Sequence, residues 1–336
     1  MSLNTETRRH CGKWGSTGMG SKLRLFFATD LHGSEKCFLK FLNTPQAYKV
    51  NTLILGGDVT GKVIVPISKS PDGTFTCEFL SNKYTLKSDK QVEELEKRIR
   101  FTGYYPYRTT EEEIAQLRAD SAKMDAIFTD VMLDTLRRWM TLAEERLKDK
   151  GVKIYMTGGN DDRPEVEDVL KSSKYVVDPE GELVTLEDGR EMLSSGWSNP
   201  TPWKTPRECS EEELAAKLDA MISKVQNMEK CVFNLHVPPF DTGLDTCPKL
   251  DENLKPVYAG SEIIMTAAGS TSVRKAIEKY QPVVGLHGHI HESRGFTKIG
   301  RTLCLNPGSE YTEGMLRGVV VELDEKGVRN YLLTVG

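Results

Sequence analysis

The chain has 336 residues, 38% hydrophobic and 28% charged, with a formal net charge of −4. That is the composition of a foldable chain rather than a disordered one, and its mild acidic excess argues against a general nucleic-acid binder. Its seven Cys residues (Cys11, Cys37, Cys77, Cys209, Cys231, Cys247 and Cys304) are scattered, odd in number and without a C-x-x-C pair, which speaks against a disulfide framework or a zinc-thiolate site and for a reducing compartment. No apolar run approaches the ~18 residues of a membrane span, and the N-terminus lacks the apolar core of a signal peptide. The expected location is therefore the cytoplasm.

Residues 1–21 are polar and rich in Gly and Ser and read as a flexible leader. The run 23–29, Leu-Arg-Leu-Phe-Phe-Ala-Thr, reads as a buried strand. A turn at 30–34, a helix over 35–48 and a second strand over 51–55 make a β-α-β unit with parallel, adjacent strands. From about residue 61 the pattern changes. Short alternating runs at 63–67, 75–80 and 84–87 predict a small antiparallel excursion. A highly charged helical stretch then runs from 88 to 150, broken near 103–106, with Ile114, Leu117, Met124, Ile127, Val131 and Leu133 at helical spacing. Residues 61–150 thus read as a mostly helical insertion, placed to overhang a site as a cap, in a domain spanning 22–336.

Core α/β structure resumes with a strand over 152–157 and a short helix opened by Pro164. Strand-like runs recur at 175–177, 183–186 and 191–195. Ser210 and Glu213 form a capping box for a helix to about Met228. A strand over 231–235, a helix from Ser270 or Thr271 to Tyr280, a strand over 282–286 and short strands from 295 to 335 complete the chain.

Chemistry-bearing residues sit just past these strands. Asp30 and His32 follow the first, Gly57-Asp58 the second, Gly159-Asn160 the third, His236 the strand over 231–235, and His289 and His291 the strand over 282–286. In open α/β sheets ligands bind at the carboxyl ends of strands. Residues i and i+2 of an extended segment point the same way, so Asp30 with His32, and His289 with His291, are each expected to reach one ion. Imidazole with carboxylate suits Mn, Fe, Zn, Ni or Co better than Ca or Mg alone. Each piece alone is weak, since a lone Asp-x-His is common at surface turns. The weight lies in five such pieces in order. Weaker candidates are His287 as a group facing the site, Arg294 as a phosphate contact, and Asn199 in the 197–203 loop, where Trp197 and Trp203 are placed to wall a pocket.

The series Asp30-x-His32, Gly57-Asp58, Gly159-Asn160, His236 and Gly288-His289-x-His291 resembles the calcineurin-like metallophosphoesterases, from about residue 23 to the C-terminus apart from the insertion. Asn306-Pro307-Gly308-Ser309 also resembles a turn of the smaller phosphodiesterase-like members. The resemblance implies a four-layer α/β/β/α sandwich of two facing mixed sheets and a site for two divalent metal ions. Asp30, His32 and His291 would hold one ion, Asp58 would bridge, and Asn160, His236 and His289 would complete the second. It implies hydrolysis of a small-molecule phosphate ester, with phosphodiesters favoured, by a hydroxide bridging the ions. The competing readings are a nuclease or nucleotide pyrophosphatase of the same superfamily, and a non-catalytic metal-binding scaffold. One position departs from the pattern: Asp161 stands where many members carry a catalytic His. Beside two cations its pKa would be lowered, making it a poor general acid, while Asp162 is placed to orient a ligand.

Overall fold

The computed structural model describes residues 22–336, so the expected leader at 1–21, with His10 and Cys11, lies outside the described residues. Its frame is two six-stranded mixed sheets. In the first, the strand order is Gly327–Val335, Arg317–Asp324, Leu23–Ala28, Thr52–Gly56, Lys153–Thr157, Val176–Val177. In the second it is Gly295–Ile299, Thr302–Asn306, Val284–Leu286, Val232–Leu235, Glu191–Ser195, Leu183–Thr185. Leu23–Ala28, Thr52–Gly56 and Lys153–Thr157 run parallel, as do Glu191–Ser195, Val232–Leu235, Val284–Leu286 and Thr302–Asn306.

The near-continuous apolar runs of these strands follow from burial on both faces. Leu25, Phe27, Ile54 and Tyr155 meet Met192, Val232, Leu286 and Leu305 between the sheets. The alternate residues Phe26, Ala28, Leu53 and Ile154 face the helices Glu35–Tyr48, Ser121–Leu147 and Glu165–Ser172. On the outer face of the second sheet, Leu193, Phe233 and Leu235 pack with Leu214, Leu218 and Ile277 of the helices Glu211–Ile222 and Thr271–Tyr280. This is the expected four-layer α/β/β/α sandwich. The capping box of Ser210 and Glu213 is present, but its helix stops at Ile222, six residues short of the expected end, in a turn that leads to a single 3-10 turn at Met228–Lys230.

The expected antiparallel excursion is present as Ile64–Lys69, Phe75–Phe79 and Asn82–Leu86, and a further strand, Tyr105–Thr110, joins it. The insertion thus holds a four-stranded mixed sheet in the order Asn82–Leu86, Phe75–Phe79, Ile64–Lys69, Tyr105–Thr110, the last pair being parallel. The expected break in the helical stretch is thus a strand of aromatic and β-branched residues, Tyr-Pro-Tyr-Arg-Thr-Thr, with Pro106 tolerated because the strand is an edge. Helices Asp89–Phe101, Glu111–Ala119 and Ser121–Leu147 make up the rest. The second half of Ser121–Leu147 belongs to the outer layer of the sandwich: Trp139 stacks on Phe38 at 4.2 Å between ring centres. Among the described residues no helix is long and apolar enough to cross a membrane.

Candidate metal centre

The parallel strands of both sheets end at one place, and the turns that follow carry Asp30, His32, Asp58, Asn160, His236, His289 and His291. The expected extended i, i+2 alternation is not what aims them. Asp30, His32, Asp58 and His289 have φ of 55°, 42°, 48° and 66°, in the left-handed region that non-glycine residues seldom enter and that clusters at functional sites. The surrounding backbone holds them there: the N–H of Asp30 donates to Gly57 O and that of His32 to Asp58 O, each at 2.9 Å. Gly57 itself has φ 119°, and a Cβ there would lie 2.3 Å from His236 Nδ1, so only glycine fits.

The side-chain donors meet in two overlapping groups. His32 Nε2 lies 3.1 Å from His291 Nε2 and 3.6 Å from Asp58 Oδ2, while His291 Nε2 lies 3.4 Å from Asp30 Oδ1. On the other side Asn160 Oδ1 lies 2.7 Å from His289 Nδ1 and 3.1 Å from His236 Nε2, and His236 Nε2 is 3.4 Å from Asp58 Oδ2. His289 thus lies beside Asn160, and His291 beside Asp30 and His32, a separation that local spacing did not give. These buried clusters of carboxylate and imidazole can hold a metal ion. The donor orientation fits one. His236 Nδ1 donates to Gly56 O at 2.9 Å, which aims Nε2 at the cluster. Asn160 Nδ2 donates to Thr205 Oγ1 at 2.9 Å, whose own hydroxyl donates to Glu208 at 2.7 Å, so Oδ1 faces the cluster.

Charge is concentrated here. Burial opposes ionisation of His236, but Asp58 and Asp30 lift its pKa to about 10. Burial likewise opposes a charged Asp30, yet His291 and His236 hold it at about 2. Burial depresses His32 to about 3 and His289 to about 4, which leaves both as neutral donors.

No family model matches the chain. A stretch of 158 residues, 46% of the chain, is 34% identical to an uncharacterized protein of Methanocaldococcus jannaschii, MJ1162, and spans 64% of that relative. Two crystal structures align along 94% of the chain and 98% of their own: one with TM-score 0.52 and 14% identity, and that of TT1561 of Thermus thermophilus with TM-score 0.50 and 10% identity. These likenesses show the fold, a layered α/β sandwich shared along nearly the whole chain.

Within this fold several expected residues make other contacts. His287 is fully buried, donates from Nδ1 to Leu235 O at 2.8 Å and packs by Gly285 and Cys304. Its alternation turns it into the sheet rather than toward the donors, and burial holds it neutral, at about 4. Arg294 is exposed beside Arg317 and Glu310. Asn199 donates to Ala268 O at 3.4 Å, Trp203 is 61% exposed, and Trp197 lies under Lys217. None of these bonds is made to a side-chain donor of the cluster. Asp161 does belong: its N–H donates to Asp58 Oδ1 at 2.9 Å and its Oδ2 lies 3.9 Å from His32 Nδ1. From the protein's own groups, burial and Asp58 push its carboxyl up to about 7, opposed by an ion pair with Lys62; the expected lowering concerns the site with its two cations.

The site also has supports that no motif signals. Asp162 Oδ2 accepts from Val59 N–H and Gly159 N–H, and Oδ1 from Thr60 N–H and the Thr60 hydroxyl, at 2.5 to 2.9 Å, tying the Asp58 turn to the Asn160 turn. Buried Arg207 donates to Asp162 O and pairs with Glu167, bracing the same turn from behind. Asn306 Nδ2 lies 3.0 to 3.2 Å from Ile290 O, Gly288 O and Leu244 O, and the Ser309 hydroxyl donates to Asp30 O at 2.7 Å. The Asn306–Ser309 turn thereby staples the two His to the first strand. Tyr311, 4.7 Å from His32 between ring centres, closes the rim.

Proposed function

We propose that this protein is a metal-dependent phosphoesterase acting on small-molecule phosphate esters, with phosphodiesters as its main substrates. The observation that carries this reading is the pair of donor groups sharing Asp58. Asp30, His32, His291 and Asp58 would hold one ion and Asp58, Asn160, His236 and His289 a second, from among Mn, Fe, Zn, Ni and Co. Two bound divalent ions would supply a water of lowered pKa and neutralise charge on a phosphoryl group. The chain's own residues do the rest. His236, fixed by Gly56 O, and Asn160, fixed by Thr205, keep their donor atoms aimed inward. Neutral Asn160, His32 and His289 add no negative charge, so the balance stays favourable for an anionic substrate. The diester preference is supported by the Asn306–Ser309 turn, the feature shared in resemblance with the phosphodiesterase-like members.

The test is turnover of bis(p-nitrophenyl) phosphate and p-nitrophenyl phosphate with Mn²⁺ or with a chelator. Mn²⁺-dependent turnover that favours the diester, and that Asp58→Asn abolishes, is the expected result. No metal-dependent turnover of either substrate overturns the enzyme reading, and full turnover by Asp58→Asn overturns the shared-ligand assignment.

A further inference from the structure

Resting on that reading, we propose that Lys62 is the chain's own cationic contact for the phosphoryl group of the substrate, positioned by its ion pair with Asp161.

An ordinary surface ion pair contributes little. This one differs in where its carboxylate sits. Asp161 is only 12% exposed, its backbone N–H is bonded to Asp58, and its Oδ2 is 3.9 Å from His32 Nδ1. A carboxylate there faces any anion that approaches the cluster. Asp30, Asp58 and Asp161 would bring −3 against about +4 from two divalent ions. Lys62 offsets the nearest of the three charges. Its side chain is 55% exposed, and an ammonium has three N–H donors, so some remain beyond the one used on Asp161. Asp58 and the Tyr311 ring lie near it as well, on the side of the site formed by His32 and His291.

The base of this side chain is held rigidly. Gly61, its neighbour, donates its N–H to the buried Tyr105 hydroxyl at 2.6 Å. A Cβ on Gly61 would lie 2.0 Å from Gly103 O, and one on Gly103 2.3 Å from His32 O. Three backbone segments therefore touch where the insertion begins: its first residue, its interior turn at Gly103, and the His32 turn. A side chain rooted one residue from that contact starts from a fixed backbone position beside the His32 turn, and its ion pair with Asp161 holds the far end. The insertion thus contributes to the site through its first residues, not through its helices.

The experiment compares wild type, Lys62→Ala, Lys62→Arg, Asp161→Asn and the Lys62→Ala/Asp161→Asn double variant. Calorimetry reads Mn²⁺ binding first, then inorganic phosphate binding to the Mn²⁺-loaded protein, with thermal melts as a folding check. Lys62→Ala should weaken phosphate binding by about tenfold or more, the scale of one lost charge-assisted hydrogen bond, with Mn²⁺ affinity unchanged. Lys62→Arg should retain most of the affinity. The double variant should regain part of the loss, because the repelling carboxylate is gone. Phosphate affinity in Lys62→Ala equal to wild type overturns the proposal, as does an equal loss in Lys62→Arg. A wild-type protein that binds neither Mn²⁺ nor phosphate instead overturns the metal-site reading, and this proposal with it.

Discussion

Asp162 offers the sharpest test of how the site is built. Its carboxylate is fully buried and accepts three backbone N–H groups, from Val59, Thr60 and Gly159, together with the Thr60 hydroxyl. Asp162→Ala strands those three N–H groups. Each buried donor left unpaired costs about 1–3 kcal/mol, so, with some relief from water entering the hole, the loss is about 3–6 kcal/mol. Asp162→Asn is milder. Its amide oxygen can take the place of Oδ2, between Val59 and Gly159, while the Thr60 hydroxyl rotates to accept from the new N–H. Only the Thr60 backbone N–H is then unpaired, a loss of about 1–3 kcal/mol. Urea unfolding of the metal-free protein at pH 7 measures both, with an unchanged slope expected and a lower midpoint in the order wild type, Asn, Ala. An Ala variant within about 1 kcal/mol of wild type would mean that these hydrogen bonds do not hold the two turns together.

Two further outcomes probe orientation and charge. Thr205→Val removes the acceptor that fixes the Asn160 amide; Mn²⁺ affinity by calorimetry should fall about 10- to 100-fold, the usual effect of losing a group that orients a ligand, whereas Thr205→Ser should be near wild type, and unchanged affinity in Thr205→Val refutes the role. Glu180 accepts from Gly196 N–H, and burial pushes its pKa from 4.5 up to about 7. A carboxyl with a raised folded pKa favours the fold when protonated, a contribution complete below about 4.5 and lost as pH rises through about 7. Glu180→Gln should therefore match wild type near the lower pH and gain up to about 3 kcal/mol at pH 8 by urea unfolding; a gain independent of pH contradicts the assignment.

What the chain disclosed before folding, and what it withheld, divides along a physical line. Strand ends such as Ala28, Gly56 and Thr157 are legible because doubly buried parallel strands are runs of apolar residues closed by glycine or polar turns. The residues just past them inherit that legibility, which is why the donor-bearing turns stand out. Orientation is another matter. By i, i+2 spacing Asp30-x-His32 and His289-x-His291 read as extended, but Asp30, His32 and His289 sit at positive φ, a conformation imposed by hydrogen bonds to turns far away in sequence. Local spacing therefore could not assign His289 and His291 to opposite sides. His287 shows the same gap: its spacing relative to His289 is right, yet it faces Leu235 and Cys304 within the sheet.

The residues that were invisible share one property: each reaches the site across the fold. Thr205, Arg207 and Glu208 follow a proline-rich loop with no motif, and act on Asn160 and Asp162 from more than forty positions away. Lys62 looks like any cation at the mouth of an insertion, and only the contact of Gly61, Gly103 and His32 places it beside Asp161. The same contact alters how Asp161 is understood. Considered beside two cations, it was expected to stand in the place of a catalytic His as a poor general acid. With burial and Asp58 pushing its pKa up and Lys62 drawn onto it, it becomes the anchor for a positive charge at the rim. The departure from the resembled pattern at this position is thus matched by a second residue, supplied by the segment in which the chain leaves the sandwich for the insertion.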